Sequence, residues 1–173
     1  ALRQKIGFIP QKAFLFKGTI EENLKFGNPN ATPEEIDHAI EVAQAKEFIQ
    51  NKPNKLQEYI SEGAKNVSGG QKQRISIARA LVRKPEIYIF DDSFSALDFK
   101  TDATLRAALK EETKESVVFI VAQRISTIMN ADKIIVLNEG EVVGMGTHKE
   151  LLKSCNIYYE IADSQLTKEE LER

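Results

Sequence analysis

One cysteine, Cys155, stands among the 173 residues, so no disulfide can form within the chain, and this sparing use of thiols fits a reducing compartment. No apolar run approaches the roughly 18 residues of a membrane span, and no signal-peptide pattern follows Ala1. The chain is not expected to cross a bilayer itself. A basic excess is missing too: 24 lysines and arginines face 26 aspartates and glutamates, which removes the electrostatic reason to expect a nucleic-acid partner. His38 has no second histidine or cysteine at ligand spacing, so it reads as a surface or packing residue rather than a metal ligand, and His148, beside a helix cap, carries no assigned chemistry. Nor does the chain contain Gly-x-x-x-x-Gly-Lys-Ser/Thr, the loop whose backbone and lysine cradle phosphates in one large class of nucleotide enzymes.

What is present has a globular composition, and its length suits one ordinary domain or a compact lobe with a smaller one attached. Its centre is the stretch Asn66-Val-Ser-Gly-Gly-Gln-Lys-Gln-Arg74. Ser68, with Gln71 three residues on, fits a helix-capping box; Ile75, Ala78 and Leu81 then mark one helical face, and Pro85 closes the helix. Gly69 and Gly70 clear side chains from the helix start, where unpaired N–H groups and the positive dipole end favour an anion such as phosphate. Ile87 to Phe90 reads as a buried strand tipped by Asp91 and Asp92.

Elsewhere, Lys5 to Ile9 reads as a short strand stopped by Pro10, with Gln11 just beyond, and Phe14, Leu15 and Phe16 are large apolar loop residues that need cover. Thr19 with Glu22 makes a second capping box, and Thr32-Pro33-Glu34-Glu35 opens a helix whose inner face is Ile36, Ala39, Ile40 and Ala43. Asn51 to Asn54 is a turn. The periodicity predicts a helix over 101–112 with Leu105, Ala108 and Leu109 on one side, then a second fully apolar strand over 117–121 with Gln123 past its end. A hairpin around Asn138-Glu139-Gly140, a short helix capped by Thr147 and Glu150, and another helix over 157–166 complete the pattern. The charged residues 167–173 form a tail, loose or continuing toward a regulatory or dimer contact. Gln11, Asp91, Asp92 and Gln123 all follow apolar strands, and in open α/β sheets ligands bind at the carboxyl ends of strands, so the four are expected to converge.

Asn66 to Gln71 resembles the signature motif of ATP-binding cassette (ABC) proteins, and Ile87 to Asp92 resembles the Walker B strand that follows it in that family. Ser-Gly-Gly-Gln alone is a capped helix; the acid-tipped strand and then Ser95-Ala96-Leu97-Asp98, similar to the family's D-loop, make the pattern specific. The resemblance runs from Leu2 to Gln165. It implies an α/β fold: a P-loop NTPase (ABC ATPase) core, incomplete at the N-terminus, with an inserted α-helical subdomain. Residues 1–11 are then the end of the N-terminal core part with the Q-loop, 12–81 the helical subdomain with the signature motif, 82–166 the catalytic core and 167–173 the tail. In the family the phosphate loop precedes the stretch matching Leu2 to Gln11. The chain is therefore expected to be a piece that begins after that loop, binding ATP weakly by itself and not hydrolysing it.

The resemblance also implies ATP and Mg2+ as cofactors. Asp91 would hold the metal, usually through water, and Gln11 would approach both the ion and the γ-phosphate. Asp92 and Gln123 stand where the family commonly has a water-polarising glutamate and a switch histidine, so Asp92, Gln123 and Gln11 form the implied catalytic set. Ser68, Gly69, Gly70, Gln71 and Asp98 would bind nucleotide held by a second cassette in a head-to-tail dimer. Asp91 and Asp98 also have plain readings, as a strand end and a helix cap. Both departures weaken hydrolysis: Asp92 is one methylene shorter than glutamate, and a glutamine carries neither a proton nor a charge. The implied protein is the degenerate half of a heterodimeric exporter of multidrug, lipid or peptide type, with a homodimer of two slow sites as the alternative. It would sit on the cytoplasmic side of the cell membrane and dock its transmembrane domains through the helical subdomain. A non-hydrolysing regulatory subunit and a soluble ABC ATPase are the alternatives; the coiled coil of repair members and the basic linker of translation members find no match here. Phe14 to Phe16, in a stretch resembling the exporter branch, either packs inside the lobe or receives a coupling helix from the membrane partner. Glu62 matches the exporter X-loop only in part, because Ser61 replaces the usual glycine.

Overall fold

A computed structural model describes residues 2–171, and the chain divides into two compact units, Ala1–Val121 and Ala122–Arg173. In the first, a 3-10 turn over Leu2–Lys5 takes up Lys5, so the first strand, β1, is Ile6–Ile9. Then come β2 (Gly18–Thr19), α1 (Ile20–Lys25), α2 (Pro33–Val42), α3 (Lys46–Gln50) and β3 (Tyr59–Ile60). They are followed by α4 (Gly69–Arg83), β4 (Ile87–Asp91), α5 (Phe99–Glu112) and β5 (Val117–Val121). Thr19, Thr32 and Ser68 each close a reciprocal capping box at the start of α1, α2 and α4. Each box satisfies two backbone donors that a helix start otherwise leaves open. At its other end α4 stops on Lys84 in the left-handed conformation, with Pro85 unable to continue the helix.

Helix faces follow the apolar spacing. Ile36, Ala39, Ile40 and Ala43 are buried on and just after α2, as are Ile75, Ala78 and Leu81 on α4 and Leu105 and Leu109 on α5. They join Ile9, Tyr88 and Phe90 in one continuous core. The short antiparallel pair β2–β3 links segments some forty residues apart, Gly18 facing Ile60, and nothing in the local sequence announces it. Of the three loop apolars only Leu15 goes inside, at 2% exposure, while Phe14 and Phe16 stay at 59% and 39%. Packing inside the lobe therefore describes Leu15 and not its two neighbours.

The main sheet is parallel, in the order β1-β4-β5. Its register sets Ile9, Phe90 and Ile120 side by side on the face toward the core, and Phe8, Ile89 and Phe119 on the other. That second face is open: Phe8 and Phe119 are 55% and 54% exposed. A continuous apolar run is what a strand covered on both faces requires. Within the described residues β5 is instead an edge strand on which Ile120 alone is not exposed, and Phe119 shares an open apolar stripe with Phe8 of β1.

The second unit contains α6 (Ile125–Ile128), the antiparallel hairpin of β6 (Ile134–Asn138) and β7 (Glu141–Gly146), α7 (His148–Ser154), α8 (Asn156–Gln165) and α9 (Lys168–Leu171). Asn138 joins the strand, so the turn is Glu139-Gly140, both at positive φ (49° and 84°) as a two-residue hairpin turn demands. The tail expected over 167–173 is helical from Lys168 to Leu171, and its last two residues lie outside the described residues. Ile134, Val136, Leu151, Tyr158 and Ala162 form this unit's own core.

Inside that core His148 is only 6% exposed; its Nδ1 is 2.7 Å from the Tyr158 hydroxyl, and its Nε2 is buried with no hydrogen-bond partner among the described residues. Burial, with a smaller contribution from Lys149, holds the imidazole below its ordinary value. The folded chain therefore resists a proton that the unfolded chain accepts. This contribution to stability is complete above the ordinary imidazole pKa of about 6.5. It is lost as pH falls from there through the lowered folded-state value. Urea unfolding of the wild type should weaken on acidification over that window, and a His148→Gln variant should lose that part of the slope; identical slopes would remove His148 as the cause.

Candidate functional site

The carboxyl ends of β1 and β4 lie side by side because the strands are parallel and in register from Ile6–Ile87 to Ile9–Phe90. Gln11 follows β1 and Asp91 ends β4, so residues some eighty positions apart arrive at one edge. There the Gln11 Nε2 donates to the Asp92 Oδ2 at 3.1 Å. The amide oxygen of Gln11 is left for another partner.

Asp92 sits at φ 44°, in the left-handed region, which aspartate tolerates better than most residues because its short side chain bonds locally. Its N–H donates to the Val121 carbonyl at 2.8 Å, and its own carbonyl accepts from the Ser95 hydroxyl at 2.9 Å. The backbone thus turns sharply away from the sheet just where the carboxylate is presented. Asp91, one residue earlier, is half-buried, and its carboxylate makes no hydrogen bond or ion pair among the described residues.

These donors fit a magnesium ion. Hard cations take oxygen ligands, and magnesium keeps several waters while using one or two carboxylates plus phosphate. An unpaired Asp91 carboxylate, next in sequence to the Asp92 that Gln11 meets, matches that demand. Among the described residues no group of three His, Cys, Asp or Glu is arranged to hold a metal by protein ligands alone, so water and phosphate would complete the shell.

A second structure gathers at the start of α4. Ser68 Oγ accepts from the Gln71 N–H at 3.2 Å, and the Gln71 Oε1 accepts from the Ser68 N–H at 3.2 Å, so both side chains are engaged in the cap. Gly69 is open, with nothing within 4 Å of where a Cβ would stand. At Gly70 that Cβ would lie 3.3 Å from the Ala96 carbonyl oxygen, so the helix start rests against the loop that follows β4. Asn66 folds back on the preceding turn, donating to the Tyr59 carbonyl at 2.7 Å and accepting from the Ser61 N–H at 3.0 Å. A 15-residue helix beginning in two glycines presents N–H groups and a positive dipole end to an anion.

Asp98 is the N-cap of α5, accepting from the Thr101 N–H at 3.0 Å, so that helix begins at Phe99 rather than Thr101. Hydrogen bonds from Thr101, backbone first, hold its carboxyl below the usual carboxylate range, with a smaller contribution from the Arg74 charge. Gln123 belongs to the second unit. Its side chain is exposed, and its carbonyl accepts from the Gln165 Nε2 at 2.9 Å while the Gln165 Oε1 accepts from the Ile125 N–H.

Three contributors were not singled out by the sequence. Ser93, 1% exposed, donates to the Ile9 carbonyl at 2.8 Å, and Gln73, equally buried, donates to the Pro10 carbonyl at 3.2 Å. Gln165 holds the Gln123 turn. A buried amide on an otherwise apolar helix face was the available signal for Gln73, since such a group needs a partner; the identity of that partner was not encoded nearby.

The family profile described as ABC transporter matches residues 1–95, just over half of the chain. The chain is 46% identical over 168 residues to an uncharacterized ABC transporter ATP-binding protein of Bacillus subtilis, covering 97% of this chain and 29% of that protein. It is 41% identical over 169 residues to ABC transporter B family member 4 of Dictyostelium discoideum, covering 98% and 22%. To human ATP-binding cassette sub-family B member 5 the identity is 42% over 163 residues, covering 94% and 13%. A solved structure of a bacterial Atm1-family ABC exporter with ATP bound superimposes with a TM-score of 0.92 at 34% identity, covering 96% of this chain and 30% of that one. The chain thus spans less than a third of the length of the relatives it matches.

Proposed function

The chain belongs to the ABC transporter family and has its P-loop NTPase fold, and from that premise we propose that it is the ATP-binding and hydrolysing domain of an exporter, coupling the pairing of two cassettes to transport across a membrane. The observation that carries this reading is the meeting of Gln11 with Asp92 beside an unpaired Asp91 at the carboxyl edge of a parallel sheet. Asp91 would hold the magnesium ion with the help of Gln11, and the ion would supply charge neutralisation to the phosphates. Asp92 orients the attacking water, and Gln123 donates an amide hydrogen to the γ-phosphate. Ser68, Gly69, Gly70, Gln71 and Asp98 serve the nucleotide of the opposite cassette. Aspartate at 92 and glutamine at 123 make this chain's own site slow; its partner is a different cassette with a faster one, the alternative being a second copy with an equally slow site. The same two residues also favour a second reading, a regulatory subunit whose own site binds nucleotide without turnover.

The domain lies on the cytoplasmic side of the membrane and meets the transmembrane domains through an aromatic rim. Phe14 and Phe16 stack edge to face at 5.1 Å, Phe16 lies 4.5 Å from Phe26, and Arg79 stands over the Phe16 ring while donating to the Phe14 carbonyl. Rings this exposed, 67% for Phe26, have little to cover them in the chain. The cargo proposed is of multidrug, lipid or peptide type, from the resemblance of Phe14 to Asn23 to the exporter branch of the family. Reconstitution of the full-length transporter tests the whole reading: it should bind and hydrolyse ATP, and cysteines placed at Phe14 or Phe16 should cross-link to the intracellular loops of the membrane domains. Consistently absent cross-links in an active transporter would exclude this docking face, and a transporter that binds ATP without hydrolysis would select the regulatory reading.

A further inference from the structure

We infer that Gln73 is a positioning residue that ties the signature helix to this chain's own Gln11–Asp92 pair, so that a displacement at one nucleotide site is felt at the other; this rests on the assignment of the two half-sites above. Gln73 is 1% exposed on α4, among residues of the apolar core. An amide buried there is unfavourable unless it is bonded, and its bond reaches 63 residues away to the Pro10 carbonyl. The neighbouring carbonyl, of Ile9, is taken by Ser93, the residue immediately after Asp92. Two successive carbonyls at the end of β1 are thereby gripped, one from the helix and one from the loop after β4. Gln11 follows directly, and its reach to Asp92 depends on where that backbone is held.

The same helix begins at Ser68, whose cap and glycines face the partner's nucleotide. Ser68 and Gln73 are five residues apart, about 7.5 Å along a rigid helix, so motion of the cap is delivered to Pro10 with little loss. The Gly70 contact with the Ala96 carbonyl keeps the helix start against the loop beyond Asp92. A closed loop of contacts results: α4 to β1, β1 to β4, and the segment after β4 back to α4.

The test uses the full-length transporter with its partner and the variant Gln73→Met, which keeps length and apolar fit and deletes the amide. In the nucleotide-free protein, hydrogen exchange of the peptide containing Gln11 should quicken several-fold while peptides of α2 keep the wild-type rate. ATP turnover at this chain's own site, read with the partner's catalytic acid replaced, should fall about 10- to 100-fold with nucleotide affinity unchanged, the scale expected when a site group is misplaced by roughly 1 Å. Gln73→Met should cost little in a Gln11→Ala background, since it acts through Gln11. Unchanged exchange at Gln11, or fully additive losses, would overturn the inference. If Gln73→Met lowers the melting temperature, Gln73→Leu, which also lacks the amide donor, carries the same expectations. Should the unmodified transporter fail to bind ATP, the assignment of function falls, while the exchange measurement still reports separately on Gln73.

Discussion

Replacing Asp92 with glutamate and Gln123 with histidine together should raise ATP turnover at this chain's own site by about 100- to 10,000-fold, the usual contribution of a general base in reach of its water. Asp92 is well placed but short: the Gln11 amide at 3.1 Å sets its carboxylate, and the bonds to Val121 and Ser95 fix its backbone at φ 44°, so only a longer side chain extends its reach. A glutamate there extends the carboxylate by one methylene beyond that contact, and a histidine at 123 supplies a group that can carry a proton, as glutamine cannot. Each single replacement should recover less than the pair. The measurement is single-site hydrolysis in the reconstituted transporter, with the partner's catalytic acid replaced so that only this site turns over. Ordinary hydrolysis at this site before any substitution would refute the slow-site proposal.

Gly27→Ala should destabilise the first unit by about 3 kcal/mol, the upper range for overpacking a core. A Cβ at position 27 would stand 2.2 Å from the Arg79 carbonyl oxygen and 3.2 Å from that of Leu24. Both obstacles are backbone, so relief requires lifting the end of α1 off α4, where Ile20, Leu24, Ile75 and Ile77 are fully buried. Against a typical total of about 5–15 kcal/mol, such a loss moves the urea midpoint far enough to read directly. Gly69→Ala is the control, because a Cβ there meets nothing within 4 Å, and its folding stability should stay near the wild type. Equal stability of the two variants would mean that α1 and α4 are not packed as described.

Local chemistry made much of this protein legible. A capping box spans four residues, and an apolar helix face repeats within a dozen, so Ser68 with Gln71, the Ile75–Ala78–Leu81 face and the hairpin at Glu139-Gly140 depend on neighbours that the sequence sets next to one another. The acid-tipped strand and the glycine corner likewise carried the resemblance to the ABC transporter family, whose profile matches residues 1–95.

Tertiary structure decided what depends on distant partners. Nothing near Phe14 says that Leu15 alone turns inward, and nothing near Gln73 says that its amide meets Pro10. Val117 to Val121 is apolar throughout, yet only the sheet order tells which of its faces is covered. The Gln11–Asp92 contact was foreseeable as a neighbourhood and not as a bond, since its length is set by the left-handed turn at Asp92 and by Ser93 and Gln73 gripping the end of β1. Short-range preferences are written into adjacent residues; a contact across eighty positions exists only after the chain has closed and chosen a register.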